Sequence, residues 1–144
     1  MIDPESKPPE DKLLSEAQCM RIIANALACA GIALDASDDC GMTHGATDLV
    51  TTDSLIEGHH FDRKHDTPEQ IGRQAAIVNL SDLAGSGAHA GWLVWALSLN
   101  NSWDEASLSQ LAYGFGSEAA KYGASVLGGN LAYTNGPTVI GVTA

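Results

Sequence analysis

The chain has 144 residues, of which 44% are hydrophobic and 17% are charged. This length corresponds to one domain, and the composition is that of a globular protein rather than a disordered one. Eighteen acidic residues against seven Lys and Arg give a net charge of −11. So acidic a chain has too few bases to cover the phosphates of a nucleic acid, and it has no apolar run of the roughly 18 residues that a membrane span needs.

The N-terminal segment differs in composition from the rest of the chain. Residues 1–13 are acidic and rich in proline, so we expect a flexible lead-in followed by one domain over residues 14–144. The segment lacks the basic start and the apolar stretch of a signal peptide. We therefore expect a cytoplasmic protein.

Three helices are predicted from capping signals followed by apolar residues at helical spacing. The predicted helices cover about residues 15–30, 67–84 and 103–122. Their capping pairs are Ser15 with Gln18, Thr67 with Gln70, and Ser102 with Glu105. Cys19 and Cys29 fall on the first apolar pattern and are predicted to be core residues, and the absence of any CxxC pair argues against a structural zinc site.

Strands are predicted between these helices. The candidates are residues 48–53, 91–100, 124–129 and 137–143, and the first is expected to continue through the histidines of EGHHF after a break at Gly58. The glycine-rich run GSGAHAG is predicted to be a helix-ending turn. Because strands and helices alternate, we expect an α/β or α+β domain with a mixed sheet.

Charge is unevenly distributed along the chain. Residues 74–144 hold only five charged side chains, and the predicted strand 91–100 is apolar on both of its alternating faces. A surface with so few charges is difficult to solvate, so we expect it to pack against a second subunit or a further domain. The last predicted strand ends the chain, and we expect the natural protein to be longer.

The acidic residues that follow predicted strands or interrupt apolar helices are candidates for chemistry. Asp39, Asp53 and Asp82 are hard oxygen ligands of the kind that Mg²⁺ prefers, and Thr51 and Thr52 add hydroxyl or carbonyl oxygens. Spacing alone leaves open that the carboxylates only keep the chain soluble. No GxxxxGK[ST] phosphate loop and no GxGxxG motif is present.

The vicinal pair His59 and His60 is the second candidate. On a strand, neighbouring side chains point to opposite faces, so the pair is not expected to chelate one metal ion. Either one histidine contacts a substrate phosphate or both lie on the surface.

Four segments in this order resemble the N-terminal half of the thiamine-monophosphate kinase family, which has the aminoimidazole-ribonucleotide synthetase-like fold. The segments are DDC, TTDSLIEGHHF, PEQIGRQAAIVNLSDLAGSGAHAGW and YGASVLGGN. The resemblance covers about residues 14–144. It implies a mixed sheet with helices on one face, a homodimer formed through the sheet, and transfer of the γ-phosphate of ATP to thiamine phosphate with several Mg²⁺ ions.

The resemblance also implies roles for individual residues. The metal ligands are expected at Asp39, Asp53 and Asp82, with Thr51 and Thr52 as the metal-contacting pair. His60 is expected to contact the substrate. The nucleotide is expected to contact Gly129 and Asn130.

One motif departs from the family. Where the family has GGDTTR, this chain has Gly128 to Tyr133 with the sequence GGNLAY, so an acid is replaced by Asn130 and an arginine by Tyr133. We therefore expect the 144-residue chain to be inactive alone. The alternatives are a related ATP-dependent enzyme that acts on another small molecule, and a non-catalytic domain that dimerises and binds a nucleotide.

Overall fold

The computed structural model of the chain describes residues 14–32, 40–42 and 48–144. Asp39 and the predicted lead-in over residues 1–13 lie outside the described residues. The chain divides into two compact units, Met1–Ser37 and Asp38–Ala144. Each unit is described by itself.

The described residues of the first unit, 14–32, contain one helix, α1, over Glu16–Cys29. It starts where its capping box predicts, because the Ser15 hydroxyl accepts the Gln18 N–H and the Gln18 side chain accepts the Ser15 N–H. No residue of α1 is buried, and Cys29 is exposed rather than in a core. The prediction that Cys19 and Cys29 are core residues is therefore wrong.

The second unit contains the remaining helices and strands, and it confirms the predicted mixed α/β class. The four-stranded sheet has the order β3-β6-β4-β5, in which β6 is antiparallel to both neighbours and β4 is parallel to β5. Strands β1 and β2 form a separate antiparallel pair. The element bounds are β1 Gly41–Met42, β2 Leu49–Val50, β3 Thr52–Ile56, α2 Pro68–Gly85, β4 Trp92–Leu99, α3 Glu105–Lys121, β5 Ser125–Tyr133 and β6 Val139–Thr143.

Both helices of this unit start at a capping box, but only one of the two boxes is the predicted pair. Helix α2 has the predicted capping box at Thr67. Helix α3 is capped by Asp104 and Ser107 instead of the predicted Ser102 and Glu105. The reason is that the Ser102 hydroxyl is bound to the Asn100 side chain, which leaves the cap to Asp104. Hydrogen bonds from Ser107 lower the pKa of the Asp104 carboxyl.

Helices α2 and α3 approach each other closely at two glycines. A Cβ on Gly114 would lie 2.9 Å from the carbonyl carbon of Glu69 and still closer to its oxygen. A Cβ on Gly72 would overlap the carbonyl oxygen of Leu111 in the same way. The helices can therefore approach each other this closely only because Gly72 and Gly114 have no side chain.

Both helices cover one face of the sheet. Trp95 of β4 stacks on Phe115 of α3 with ring centroids 4.4 Å apart, and Leu97, Ile140 and Val142 are buried on this face. The described residues of the second unit leave the opposite face open, and the central row of this face contains the small residues Ser54, Gly141 and Ala96, which the strand register aligns. The predicted arrangement with helices on one face is confirmed.

Candidate functional site

A buried threonine and a carboxylate meet at the start of β3. Thr51 is 3% exposed, and its hydroxyl donates a 3.1 Å hydrogen bond to Oδ2 of Asp82 on α2. The Thr51 backbone exchanges two 3.0 Å hydrogen bonds with Ala144, which extends the β3–β6 ladder by one pair. Asp82 thus has a fixed partner at the helix-covered face of the sheet.

Asp53 follows two residues after Thr51 on the extended chain. Side chains two residues apart on a strand lie on the same face, so Asp53 belongs to the same side of the sheet as Thr51. Its Oδ1 accepts the N–H of Ser54 at 2.7 Å, and the side chain is exposed. Among residues 14–32, 40–42 and 48–144, no donor is bound to the other carboxylate oxygen of Asp53 or to Oδ1 of Asp82, so both oxygens can bind a cation.

The side chains of Thr51 and Thr52, which were predicted to contact the metal together, lie on opposite faces of the sheet. Thr52 donates its hydroxyl hydrogen to the Val142 carbonyl oxygen at 2.9 Å and accepts a bond from the Thr143 hydroxyl at 3.2 Å. It lines a cavity of about 400 Å³ on the open face together with Gly129 and Asn130. The structure therefore brings Thr52 to the predicted nucleotide residues and Thr51 to the predicted metal ligand Asp82.

The two residues predicted to contact the nucleotide, Gly129 and Asn130, lie on the exposed edge strand β5. Gly129 pairs with Trp95, and a Cβ there would overlap the Trp95 carbonyl oxygen, so the position requires glycine. Gly128 has a φ of +133°, next to an irregularity in the β4–β5 register. Asn130 is exposed and pairs with Ala96 on the open face.

His60 lies in a turn at the opposite end of β3. The strand stops at Ile56, and Gly58 has a φ of +84°, so the predicted continuation of the strand through the histidines is wrong. The His60 Nδ1 atom accepts the Ile56 N–H at 3.0 Å. In the neutral ring the proton is therefore on Nε2, which is free to donate to an anion.

The two ends of β3 are too far apart for Thr51 and His60 to contact the same small ligand. Ile56 lies five positions after Thr51, which at 3.3 Å per position corresponds to about 17 Å. The structure thus brings together Thr51 with Asp82, and Thr52 with Gly129 and Asn130, but places His60 at a distance from both groups.

The glycine-rich run GSGAHAG forms the predicted turn after α2. Gly87 has a φ of +75°, and the Ala88 N–H donates to the Leu83 carbonyl oxygen at 2.8 Å. A cavity of about 530 Å³ lies beside this turn, bounded also by Val50 and Trp92. It is at the same end of the sheet as Thr51.

The donor chemistry at this end suits magnesium. Across residues 14–32, 40–42 and 48–144 there is no group of three or more His, Cys, Asp or Glu side chains that could hold a metal by itself. Mg²⁺ is commonly bound through one or two carboxylates, and phosphates and water complete its shell. The carboxylates of Asp53 and Asp82 fit that pattern.

Comparison with known proteins identifies the family. A sequence model of the AIR synthase related protein family, N-terminal domain, matches residues 37–144. The chain belongs to this family. A thiamine-monophosphate kinase of Corynebacterium glutamicum is 33% identical over 135 residues, covering 91% of this chain and 39% of that protein.

Two solved structures share the fold. Thiamine monophosphate kinase from Aquifex aeolicus superposes with a TM-score of 0.78 at 27% identity, over 90% of this chain and 41% of that one. The structure titled AaThiL complexed with AMPPCP and TMP gives a TM-score of 0.81 at 26% identity, over 96% of this chain and 43% of that one. The chain thus spans about two fifths of the length of these relatives.

No helix in the described part of the chain is both long enough and apolar enough to cross a membrane.

Proposed function

We propose that this chain is the ATP- and Mg²⁺-binding N-terminal domain of a cytoplasmic thiamine-monophosphate kinase. The proposed reaction transfers the γ-phosphate of ATP to thiamine phosphate and yields thiamine diphosphate. The observation that carries the proposal is the Thr51–Asp82 hydrogen bond, with Asp53 on the same face of the sheet. Support also comes from the relatives, which are named thiamine-monophosphate kinase, and from a neighbour bound to AMPPCP, an ATP analogue.

Phosphoryl transfer asks a protein mainly to position the phosphates and to neutralise their charge. Mg²⁺, when bound, supplies that neutralisation. In this proposal Asp39, Asp53 and Asp82 hold Mg²⁺. Thr51 fixes the carboxylate of Asp82 through a hydrogen bond to Oδ2, and Oδ1 is left to bind the metal ion.

The remaining residues act on the two substrates. Gly129 and Asn130 line the cavity on the open face, where Asn130 offers an amide to the nucleotide. Thr52 lines the same cavity. At the other end of β3, the Nε2–H of His60 donates to the phosphate of thiamine phosphate.

The open face of the sheet is proposed as the homodimer interface. Its central row of Ser54, Ala96 and Gly141 has short side chains that allow a second sheet to approach. A second copy also explains how one site uses both ends of β3, since two chains can bring opposite strand ends together. This interface leaves α2 and α3 on the outside, where helix α2 carries the Glu69–Arg73 ion pair.

The metal assignment is tested by thermal unfolding with Mg²⁺ and a nucleotide. At a ligand concentration of ten times Kd, binding adds about 1.4 kcal/mol to the free energy of unfolding. We expect Asp82→Asn to abolish most of this ligand-dependent rise in Tm. Asp104→Asn makes the same chemical change at the start of α3 and is expected to keep the rise. Equal responses of both variants would contradict the assignment.

A second candidate function is nucleotide binding without thiamine-phosphate kinase activity, or with another acceptor. The observation that favours it is the run Asn130 to Tyr133 on β5, where the acid and the arginine of the family motif are replaced. A radiolabelled phosphate-transfer assay separates the candidates when it is run on the whole kinase of which this chain is proposed to be the N-terminal domain, because the 144-residue chain is expected to be inactive alone. Product from thiamine phosphate supports the first, whereas Mg²⁺-dependent nucleotide binding without product supports the second.

A further inference from the structure

Glu57 joins three segments that are distant in sequence. Its Oε2 accepts hydrogen bonds from Nδ2 of Asn100 at 2.8 Å and from the N–H of Thr138 at 3.0 Å. Its own N–H donates to the Thr138 carbonyl oxygen at 2.9 Å. The end of β3 is thereby tied to the loop after β4 and to the segment that leads into β6.

The partners of Glu57 are themselves fixed. Oδ1 of Asn100 accepts the N–H and the hydroxyl of Ser102, at 3.1 and 2.6 Å. The Arg63 guanidinium donates to the Ser102 carbonyl and hydroxyl oxygens at 2.6 and 2.7 Å and lies 4.1 Å from the Trp103 ring centroid. The Trp103 indole N–H donates to the Thr138 hydroxyl at 2.8 Å. The carboxylate thus binds to a connected polar network rather than to mobile surface groups.

This network begins at the residue that opens the His60 turn. The Gly58 N–H donates to the Phe61 carbonyl oxygen at 2.8 Å, and the His60 N–H donates to the Ile56 carbonyl oxygen at 2.9 Å. Phe61 is 4% exposed and anchors the far end of the turn in the core. Glu57 anchors the near end.

We propose that Glu57 is a positioning residue for His60. By fixing the near end of the turn, its carboxylate keeps Nδ1 of His60 on the Ile56 N–H, and the Nε2 proton therefore faces outward. That this proton meets a phosphate ester rests on the proposed function, whereas the positioning itself does not. Within the described residues, no Lys, Arg or His forms an ion pair with Glu57, so neutral donors alone direct its carboxylate.

The tautomer of His60 is the direct readout. Long-range ¹H–¹⁵N spectra of the histidine side chains in the 144-residue chain, at about pH 8 where an ordinary imidazole is neutral, report which ring nitrogen carries the proton. We expect a single Nε2–H form for His60 in the unmodified chain. Glu57→Ala is expected to produce a mixture of tautomers, while Glu57→Gln keeps a carbonyl oxygen for both donors and restores the single form.

The same variants are titrated with inorganic phosphate, followed at His60. We expect Glu57→Ala to bind phosphate about fivefold more weakly than the unmodified chain. This factor corresponds to about 1 kcal/mol, the contribution of one well-placed hydrogen-bond donor. Glu105→Ala removes an exposed acid on α3 and is the matched control, with unchanged spectra and affinity. His89, at the other end of the sheet, is the internal reference within each spectrum.

Two results would overturn the positioning role. One is an unchanged His60 spectrum in Glu57→Ala. If that variant does not fold, Asn100→Ala removes one of the two bonds to Oε2 and keeps the charge, and an unchanged His60 spectrum there overturns it equally. A separate titration uses thiamine phosphate. If His60 has a single tautomer and its spectrum does not change on addition of thiamine phosphate, the proposed substrate contact is wrong while the role of Glu57 stands.

Discussion

Replacing Gly114 by alanine tests how α2 and α3 are held together. The added methyl group would overlap the backbone of Glu69, with its carbonyl carbon at 2.9 Å and its Cα at 3.0 Å. Backbone atoms cannot rotate away as a side-chain end can. The two helices must therefore separate, and the contact of Gly72 with Leu111 opens at the same time.

The magnitude follows from two opposing effects. Overpacking costs about 1–3 kcal/mol, and a backbone overlap belongs at the upper end of that range. Alanine in a helix interior returns about 1 kcal/mol relative to glycine. The net loss is about 2 kcal/mol of unfolding free energy, which lowers Tm by roughly 8 °C or more in a unit of this size.

Gly116 is the matched control because it lies in the same helix and a Cβ there would have no neighbour within 4 Å. Gly116→Ala is expected to raise Tm by a few degrees through helix propensity alone. Thermal unfolding followed by circular dichroism at 222 nm compares the two variants. If Gly114→Ala is as stable as Gly116→Ala, the helices do not pack through their glycines as described.

Three further outcomes are expected. Hydrogen bonds from Ser107 hold the pKa of Asp104 below its ordinary value of 3.8, so the ionised cap stabilises the fold above that pH. Asp104→Asn should therefore lower Tm at neutral pH. The difference in Tm between the variant and the unmodified chain should vanish as the pH falls through the lowered pKa of Asp104. A Tm difference that persists in acid would contradict this sign. If the open face is the proposed dimer interface, light scattering should give a dimer for the unmodified chain and a particle of 15.0 kDa for Ala96→Arg, because an unpaired charge in the interface costs several kcal/mol. A dimer that persists in this variant would exclude the open face. Asn130→Asp should tighten Mg²⁺-dependent nucleotide binding by about 1–2 kcal/mol in calorimetry, and an unchanged affinity would remove Asn130 from the site.

Local patterns predicted most of the fold. The capping boxes that begin at Ser15 and Thr67 predict the starts of α1 and α2 correctly, because the two residues of each box are only three positions apart. The helix α3 itself is predicted, but its capping pair is not, because the Ser102 hydroxyl donates to the Asn100 side chain and accepts a bond from Arg63. Arg63 lies 39 positions away, so its contact with Ser102 has no signal in the local sequence.

The site was less accessible to sequence reasoning than the fold. The motif TTDSLIEGHHF marks the right segment, but only strand alternation in the folded sheet separates Thr51 from Thr52. Glu57 is not among the predicted site residues, since its partners Asn100 and Thr138 lie 43 and 81 positions away. The one local signal is the glycine that follows it, which indicates a turn whose ends must be held.

The role of the carboxylates at the start of β3 is tested most directly by calorimetric titration of the 144-residue chain with AMPPCP, once with Mg²⁺ and once with a chelator. The account predicts binding with a Kd of about 1 mM or tighter when Mg²⁺ is present, which corresponds to at least about 4 kcal/mol, and no measurable heat of binding without it. Equal affinity in both titrations, or no binding in either, would contradict the proposal that Asp53 and Asp82 bind the nucleotide through magnesium.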